Sequence, residues 1–324
     1  MNAILWMKSG TQPMAQVLDR PLIQHIVEQI VERGIRHITL LHAGCGAEVA
    51  GFLGNGERWG VAIETRVAPG AVTAADFAAA CGNQEGELTL LGNAARLGFL
   101  PHVGPESSAW NTLFFDEEEG VGSWSGWALM DSASLPDFAG RIAAGADWRS
   151  AVRESGICTK KVFLDRPSLS AASPREVLLA NRRALDGKFP GLFFNGKEKQ
   201  PGVWVARGVK LASSAQLQAP CYLGEDAWIG ADCVIGPYSV VAPGSVVERG
   251  TVVARSVLSE GTFLGPELEV ADSCVDHNRI FNVRLGAEIV VEEEHVASAL
   301  MPTAASAGIL SPARKFFGLL RASF

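Results

Sequence analysis

The chain has 324 residues, 48% of them hydrophobic and 19% charged, with a formal net charge of -7. That length accommodates two ordinary domains and that composition a substantial core, while the lack of a basic excess argues against non-specific nucleic-acid binding. No apolar run reaches the ~18 residues needed to cross a bilayer. MNAILWMKSG lacks the basic n-region and cleavage site of a secretory leader, so the expected location is the cytoplasm. The cysteines at 45, 81, 158, 221, 233 and 274 stand singly, with no spacing that suggests a zinc cage or a disulfide framework. Most are expected to be small buried hydrophobes in a reducing compartment.

In chain order, Ala3 to Trp6 reads as a short buried strand. Pro21 to Arg33 is a helix, because Leu22, Ile23, Ile26, Val27 and Ile30 recur at a spacing of three and four. Pro21 suits its first turn and Gly34 its end. His37 to His42 reads as a second strand, Ala47 to Leu53 as a short helix, Val61 to Val67 as a third strand and Leu88 to Leu91 as a fourth. This alternation implies a parallel sheet covered by helices. Ser173 to Leu185 is a further helix, with Ser173 as N-cap, Pro174 at the first position and Glu176 at the third. The expected division is an α/β domain over 1–185, a linker over 186–202 rich in Gly, Pro and Lys, and a repeat domain over 203–298. A tail covers 299–324, with a helix as the expectation within it.

The repeat has a period of six. Val205, Leu211, Leu217, Leu223, Ile229, Ile235, Val241, Val247 and Val253 are all aliphatic. Small residues stand four places after most of them, as at Ala215, Cys221, Ala227, Cys233, Ser239, Ser245 and Thr251. The register slips by one after Val253 and resumes at Leu258, Leu264 and Val270. Such a period predicts a left-handed parallel β-helix, from about Val203 to Leu285, in which three hexads make a triangular turn and turns bury one another. Gly224, Gly230 and Gly236 are expected to permit its tight corners.

DRPLIQHIVEQIVERGIRHITLL, GNGERWGVAIETRVAP over 54–69, LTLLGNA over 88–94 and VFLDRPSLSAASPREVLLANRRAL over 162–185 resemble segments of the sugar-1-phosphate nucleotidyltransferases. The nearest likeness is to the mannose-1-phosphate guanylyltransferase-like group, many of which carry a C-terminal β-helix. The resemblance implies a Rossmann-like nucleotidyltransferase domain. In that family a glycine-rich GGxGTRLxPLT loop cradles a nucleoside triphosphate and two Asp residues hold Mg²⁺. Here the loop is roughly ten residues short and keeps one glycine. Lys8, Gly10, Thr11 and Gln12 stand in its place, with Gln12 where the family has Arg. Asn93 replaces one metal Asp, Asp165 matches the other, and no Lys counterpart for the sugar phosphate stands near Gly122–Trp127. The expectation is a catalytically impaired nucleotidyltransferase homologue of nucleotide-sugar or surface-polysaccharide biosynthesis that binds a nucleotide sugar or sugar phosphate. Gly10 and Thr11 would meet the nucleotide. Lys8, Arg20, Asp165 and Arg166 are the candidates for a residual anion or metal site, and Mg²⁺ is required only if transfer activity survives. SPREVLLANRRALDGKFPGLF, GVWVARGV, the hexads and DHNRIFNVRLGAEI also look like the front part of bacterial exopolysaccharide proteins.

Other readings stay open: an active sugar-1-phosphate nucleotidyltransferase, a hexapeptide-repeat acyltransferase with His277 (or His295) as general base, and a non-enzymatic binding or scaffold protein. Adjacent strand residues face opposite ways, so Asp276 is not expected to orient His277. Trp124 and Trp127 look exposed. Asp116–Glu119 and Glu292–Glu294 read as solvated turns. Copies are expected to associate through the β-helix. ILSPARKFFGLLRASF, from Ile309, reads as a helix packed back on its own β-helix, with a partner-docking or membrane-surface role as the alternative.

Overall fold

The apolar run Ala3–Trp6 supplies strand β1 (Asn2–Met7), which is buried on both sides, as expected of a central strand in a parallel sheet. The computed structural model describes residues 1–82, 87–101, 111–118, 121–187, 189, 192 and 195–300. They form two compact units, one of 1–14 with 21–172 and one of 15–20 with the residues from 173 onward. The helix expected over 173–185 therefore belongs to the second unit, and the division falls at 172/173 rather than at 185.

After β1 come two short strands, β2 (Gln16–Val17) and β3 (Arg20–Pro21). Helix α1 (Leu22–Glu32) follows, burying Leu22, Ile23, Ile26, Val27 and Ile30 as the spacing predicts. Then come β4 (His37–His42), α2 (Ala47–Leu53), β5 (Ala62–Val67), α3 (Ala74–Cys81), β6 (Leu88–Asn93) and β7 (Arg96–Leu97). The unit is completed by β8 (Asn111–Glu118), β9 (Val121–Asp131), α4 (Leu135–Ala143), α5 (Trp148–Ser155), β10 (Thr159–Leu164) and β11 (Leu169–Ser170). Seven strands form one sheet in the order β10-β8-β9-β6-β1-β4-β5. β1 runs parallel to β4 and β6, and β9 runs antiparallel to its neighbours. Ile4 and Trp6 of β1 share a core with Phe77 of α3, Leu135 and Phe138 of α4 and Ala151 of α5. Alternate residues point to the opposite face. Trp127 is buried in this unit and Trp124 packs partly buried against its core, so the aromatics expected at the surface are structural.

The second unit holds α6 (Pro174–Leu185), capped by the Ser173 hydroxyl on the Glu176 N–H as its sequence predicts, and β12 (Lys197–Gln200). The hexads then wind in turns of three strands. The first turn is β13 (Val203–Val205), β14 (Lys210–Leu211) and β15 (Gln216–Leu217), and the second is β16 (Cys221–Leu223), β17 (Trp228–Ile229) and β18 (Val234–Ile235). The third is β19 (Ser239–Val241), β20 (Val246–Val247) and β21 (Val252–Ala254), and the fourth β22 (Val257–Leu258), β23 (Thr262–Leu264) and β24 (Glu269–Ala271), followed by β25 (Ser273–Asp276). Each strand lies parallel on the one a turn earlier, so the three strands of a turn feed three separate sheets, a chain path compatible with a parallel β-helix. The turn shortens by one residue where Val240 meets Val257, at the slip read from the sequence. Leu223, Ile229, Ile235, Val241, Val247, Val253, Leu258 and Leu264 are fully buried. The small positions are buried beside them. Ser239, Ser245 and Thr251 donate their hydroxyls to the carbonyls of Val253, Ser259 and Gly265, at 2.9, 3.0 and 2.7 Å. This accounts for their tolerated polarity.

Two expectations about this unit are corrected. Gly224 and Gly230 do not turn corners. A Cβ on them would lie 2.5 Å from the Pro243 nitrogen and 2.7 Å from the Arg249 nitrogen, so they are glycines because the next turn's backbone passes close by. The corners are turned by left-handed residues three places after the aliphatics, including Asp226, Asp232 and Gly244. The parallel coil also ends at β25, short of 298. From there β26 (Arg279–Asn282) and β27 (Ala287–Val290) extend the first sheet antiparallel, and β28 (Ala297–Ala299) pairs antiparallel with β23. The outward-facing Tyr222 and Val240 are buried. Nearby, α6 and its following segment make contacts through Cys274 to the Pro174 carbonyl, Tyr238 to Asp186 and Tyr222 to the Asn195 carbonyl. Among the described residues no helix is long and apolar enough to cross a membrane. Cys81, Cys221 and Cys233 are buried, Cys274 is intermediate, and Cys45 and Cys158 are exposed. Burial therefore holds for half of the cysteines.

Candidate ligand site at the carboxyl edge of the first sheet

The connections from β1 to β4 to β5 step outward in one direction, and the chain then returns to place β6 on the other side of β1. Such a reversal opens a crevice beyond the carboxyl ends of the two strands, where open α/β sheets receive ligands. The segments leaving β1 and β6 are Lys8–Thr11 and Asn93–Arg96. Because β8 and β10 run in the same direction as β6, Asp116 and Asp165 lie toward the same edge. Lys8, Gly10, Thr11, Asn93, Asp165 and Arg166 are thus gathered on one edge of one unit. Arg20 belongs to the second unit, where its Nε lies 3.3 Å from Asp19.

The segment after β1 is a tight turn. Thr11 donates its N–H (3.4 Å) and its hydroxyl (2.7 Å) to the Lys8 carbonyl, and Gly10 takes φ +84°. Lys8, Ser9 and Gly10 are exposed. On the next segment, the Asn93 side-chain oxygen accepts the Ala95 N–H at 2.9 Å. The chain beyond β10 folds back over both. β11 pairs with β7, Ala171 donates to the Ala95 carbonyl at 2.9 Å, and the Ala171 carbonyl accepts the Gln12 N–H at 2.9 Å. One residue therefore fastens three segments at the edge.

A buried carboxylate anchors this strap. Asp116, 3% exposed, accepts the Ser168 N–H at 2.9 Å and its hydroxyl at 2.6 Å. The Arg96 guanidinium lies 3.9 Å away and also donates to the Trp124 carbonyl at 3.1 Å. Asp116 is not the solvated turn residue expected. It ends the strand-forming run Thr112-Leu113-Phe114-Phe115, and an acid closing such a run was the signal that could have revealed it. The side chains of Glu117 to Glu119 lie outside the described residues.

His42 ends β4 on the same edge. Its Nδ1 accepts the N–H groups of Gly44 and Gly46 at 3.1 and 3.2 Å, and burial holds its pKa below the ordinary histidine value. The ring is accordingly neutral with its proton on Nε2. Gly46 is required, since a Cβ there would lie 2.6 Å from the ring.

The residues present do not fit Mg²⁺. Asn93 offers one neutral oxygen, already engaged by Ala95, and Asp165 supplies the only carboxylate of the matched pair. Among the described residues no group of three or more His, Cys, Asp or Glu side chains is arranged to hold a metal ion. No step through a metal follows from this edge.

In the second unit the reading of His277 is corrected. It lies past the end of β25 with φ +56° in the turn to β26, and this conformation swings its Nδ1 to 2.9 Å from Asp276 Oδ1. The alternation that separates neighbours on a strand does not apply in a turn. The hydrogen bond that the His277 ring donates to the Asp276 carboxylate raises the His277 pKa and lowers that of Asp276. For His277 the stabilisation is complete below about pH 6.5, its unfolded value, and fades as pH rises through the raised folded value. For Asp276 it is complete above about pH 3.9 and fades as pH falls through the lowered one. Thermal melts of Asp276→Asn should therefore lose a stabilisation of under about 1 kcal/mol between about pH 4 and 6.5, and less of it above. An unchanged pH profile would show the contact to be inconsequential. His295 is exposed, 3.1 Å from Glu293. The residues from Ile309 onward lie outside the described residues.

No family model matches the chain, and no curated protein matches it in sequence. Among solved structures, one described as a glucose-1-phosphate thymidylyltransferase from Bacillus anthracis, in complex with a sucrose, is 14% identical with a TM-score of 0.48. That match covers 57% of this chain and 95% of the other. A likeness at that level assigns no residue a role.

Proposed function

We propose that the chain is a nucleotidyltransferase-like protein of nucleotide-sugar or surface-polysaccharide synthesis. In this reading it binds a nucleotide sugar or sugar phosphate at the carboxyl edge of the first sheet without efficient nucleotidyl transfer. The coil is read as a left-handed β-helix through which copies associate, and the cytoplasm as its compartment. The observation that carries the reading is the Lys8–Thr11 turn, which closes on itself with one glycine. A triphosphate in flight needs several converging amides, cations and a metal. A finished nucleotide sugar asks for less: an exposed cation such as Lys8 and a crevice fastened by Ala171.

The test combines binding with turnover. At a hundredfold excess over Kd, a nucleotide sugar should raise the first unit's melting temperature by about 5–10 °C. Pyrophosphate release from nucleoside triphosphates and sugar 1-phosphates with Mg²⁺ should stay at background. Asn93→Asp alone should not restore it, because the turn after β1 is unchanged. Sugar-nucleotide formation by the purified chain would refute the impairment, and a flat melt across nucleotide sugars and sugar phosphates would refute the binding.

The acyltransferase reading draws on the 2.9 Å contact between His277 and Asp276. A carboxylate that raises the ring's pKa also keeps it protonated nearer neutrality, which weakens it as a general base. Acyl-coenzyme A turnover that disappears in His277→Ala would establish this reading in place of the first.

A further inference from the structure

We infer that Arg96 and Asn93 form a phosphate-receiving subsite over Gly126 of β9. This rests on the binding reading given above and names the group by which the ligand is held. The subsite starts from the stretch Trp124-Ser125-Gly126-Trp127. On β8, Phe114 is paired with Trp127 and Phe115 with Trp124, so Ser125 and Gly126 are extra residues that bulge out of the ladder. The bulge is pinned from within. The buried Ser125 hydroxyl donates to the Phe114 carbonyl at 2.7 Å and accepts the Trp127 N–H at 3.3 Å. Gly126 takes φ +85°, and a Cβ on it would stand 3.1 Å from Asn93 Cβ and 3.5 Å from Arg96 Cδ. The end of β6 and the start of β7 thus send two side chains to one glycine.

Arg96 is held at both ends by the two tryptophans of that stretch. The Trp127 indole N–H donates to the Arg96 carbonyl at 2.8 Å, and the Arg96 guanidinium donates to the Trp124 carbonyl at 3.1 Å. A guanidinium has five N–H donors, and among the described residues this is the one hydrogen bond it makes. Asp116, at 3.9 Å, lies beyond hydrogen-bonding distance, and its Oδ1 is taken by Ser168. It steadies the charge without consuming the donors. Asn93 is fixed as well. Its oxygen accepts the Ala95 N–H, so its amide nitrogen is the part left to donate, and that atom is 3.9 Å from the place of the missing Gly126 Cβ. Residues 121–127 carry no cation of their own, and Arg96 brings one to them. The Arg96 side chain is 31% exposed, so a ligand can reach it. A fixed guanidinium fork beside a neutral amide donor suits two oxygens of one phosphate.

The experiment titrates the full chain by calorimetry with inorganic phosphate, inorganic pyrophosphate and a panel of sugar 1-phosphates and nucleotide sugars. Arg96→Gln should weaken the phosphate-bearing ligands about 10–100-fold, and Arg96→Lys less, because it keeps the charge and loses the fork. Asn93→Asp keeps an acceptor for the Ala95 N–H but sets a negative charge against the phosphate, so it should weaken them at least about tenfold. Ligand-free melts of all three should stay within about 2 °C of the parent, since a partly exposed ion pair adds little stability. Unchanged affinities in both Arg96→Gln and Asn93→Asp would overturn the subsite and leave the binding reading standing. A parent chain that binds none of these ligands would overturn both. Inorganic phosphate held through Arg96, with no affinity for the panel, would uphold the subsite and overturn the reading. An equal Arg96 effect on glucuronate would overturn the subsite in favour of a carboxylate site.

Discussion

Asp116→Ala should destabilise the first unit by about 2–4 kcal/mol in urea denaturation, because it leaves the buried Ser168 N–H and hydroxyl without their acceptor. Ser168 is itself only 4% exposed, so water cannot readily take the carboxylate's place. Arg96 would lose its anionic neighbour at 3.9 Å, but its guanidinium side chain is 31% exposed and its bond to the Trp124 carbonyl remains, so that part of the loss is small. Asp116→Asn keeps an oxygen acceptor and should recover much of the difference. The same change bears on function. Ser168 begins the stretch that reaches Ala171, and Ala171 fastens the segments following β1 and β6. Binding of a nucleotide sugar should therefore weaken in Asp116→Ala at temperatures where the unit is still folded. A cost below about 0.5 kcal/mol would mean that the strap is held by its backbone pairing alone.

Ile235→Ala should cost the second unit about 2–5 kcal/mol. Ile235 is fully buried, stacked between Leu217 of the turn before and Val253 of the turn after. The cavity cannot collapse readily, because the ladders of backbone hydrogen bonds hold successive turns about 4.8 Å apart. The expected cost therefore lies toward the upper end of that range. Leu211→Ala, in the partly exposed first turn, should cost markedly less by the same chemistry. In a structure whose turns contact mainly their neighbours, a loss in the middle uncouples both sides while a loss at the end frays one. Equal costs at the two positions, read from urea midpoints, would contradict a continuous core through the coil.

Elements that bury one regular face could be read directly. α1 announces itself by aliphatics at a spacing of three and four, and the coil by aliphatics at every sixth position, including the slip that the register of Val240 on Val257 reproduces. α3, α4 and α5 and the strands β8 to β10 were not placed from the sequence. Alanine carries much of α3, and the acidic run that begins at Asp116 reads in the sequence as solvated, as it would if Ser168 were not there to meet its first member. At the candidate site the residues nearest the ends of β1 and β6 were legible, because short polar turns after apolar runs mark strand ends. Asp116, Ser168 and Arg96 were not, and neither was the contact of His277 with Asp276, which exists only because the chain turns there with a positive φ.

The sequence by itself determined the two-part architecture, the central strands and first helices, the six-residue winding and the short turn with one glycine after β1. Each is a local periodicity or a local composition, set by the spacing of side chains along a single stretch of chain. Only the tertiary structure decided that Asp116 is an anchor, that Gly224 and Gly230 answer to the backbone of the next turn, that α6 belongs to the coil's unit, and that the coil gives way to antiparallel strands after Asp276. Those outcomes depend on groups that meet across long separations, such as Asp116 and Ser168, 52 residues apart. No window of the sequence contains both partners of such a contact.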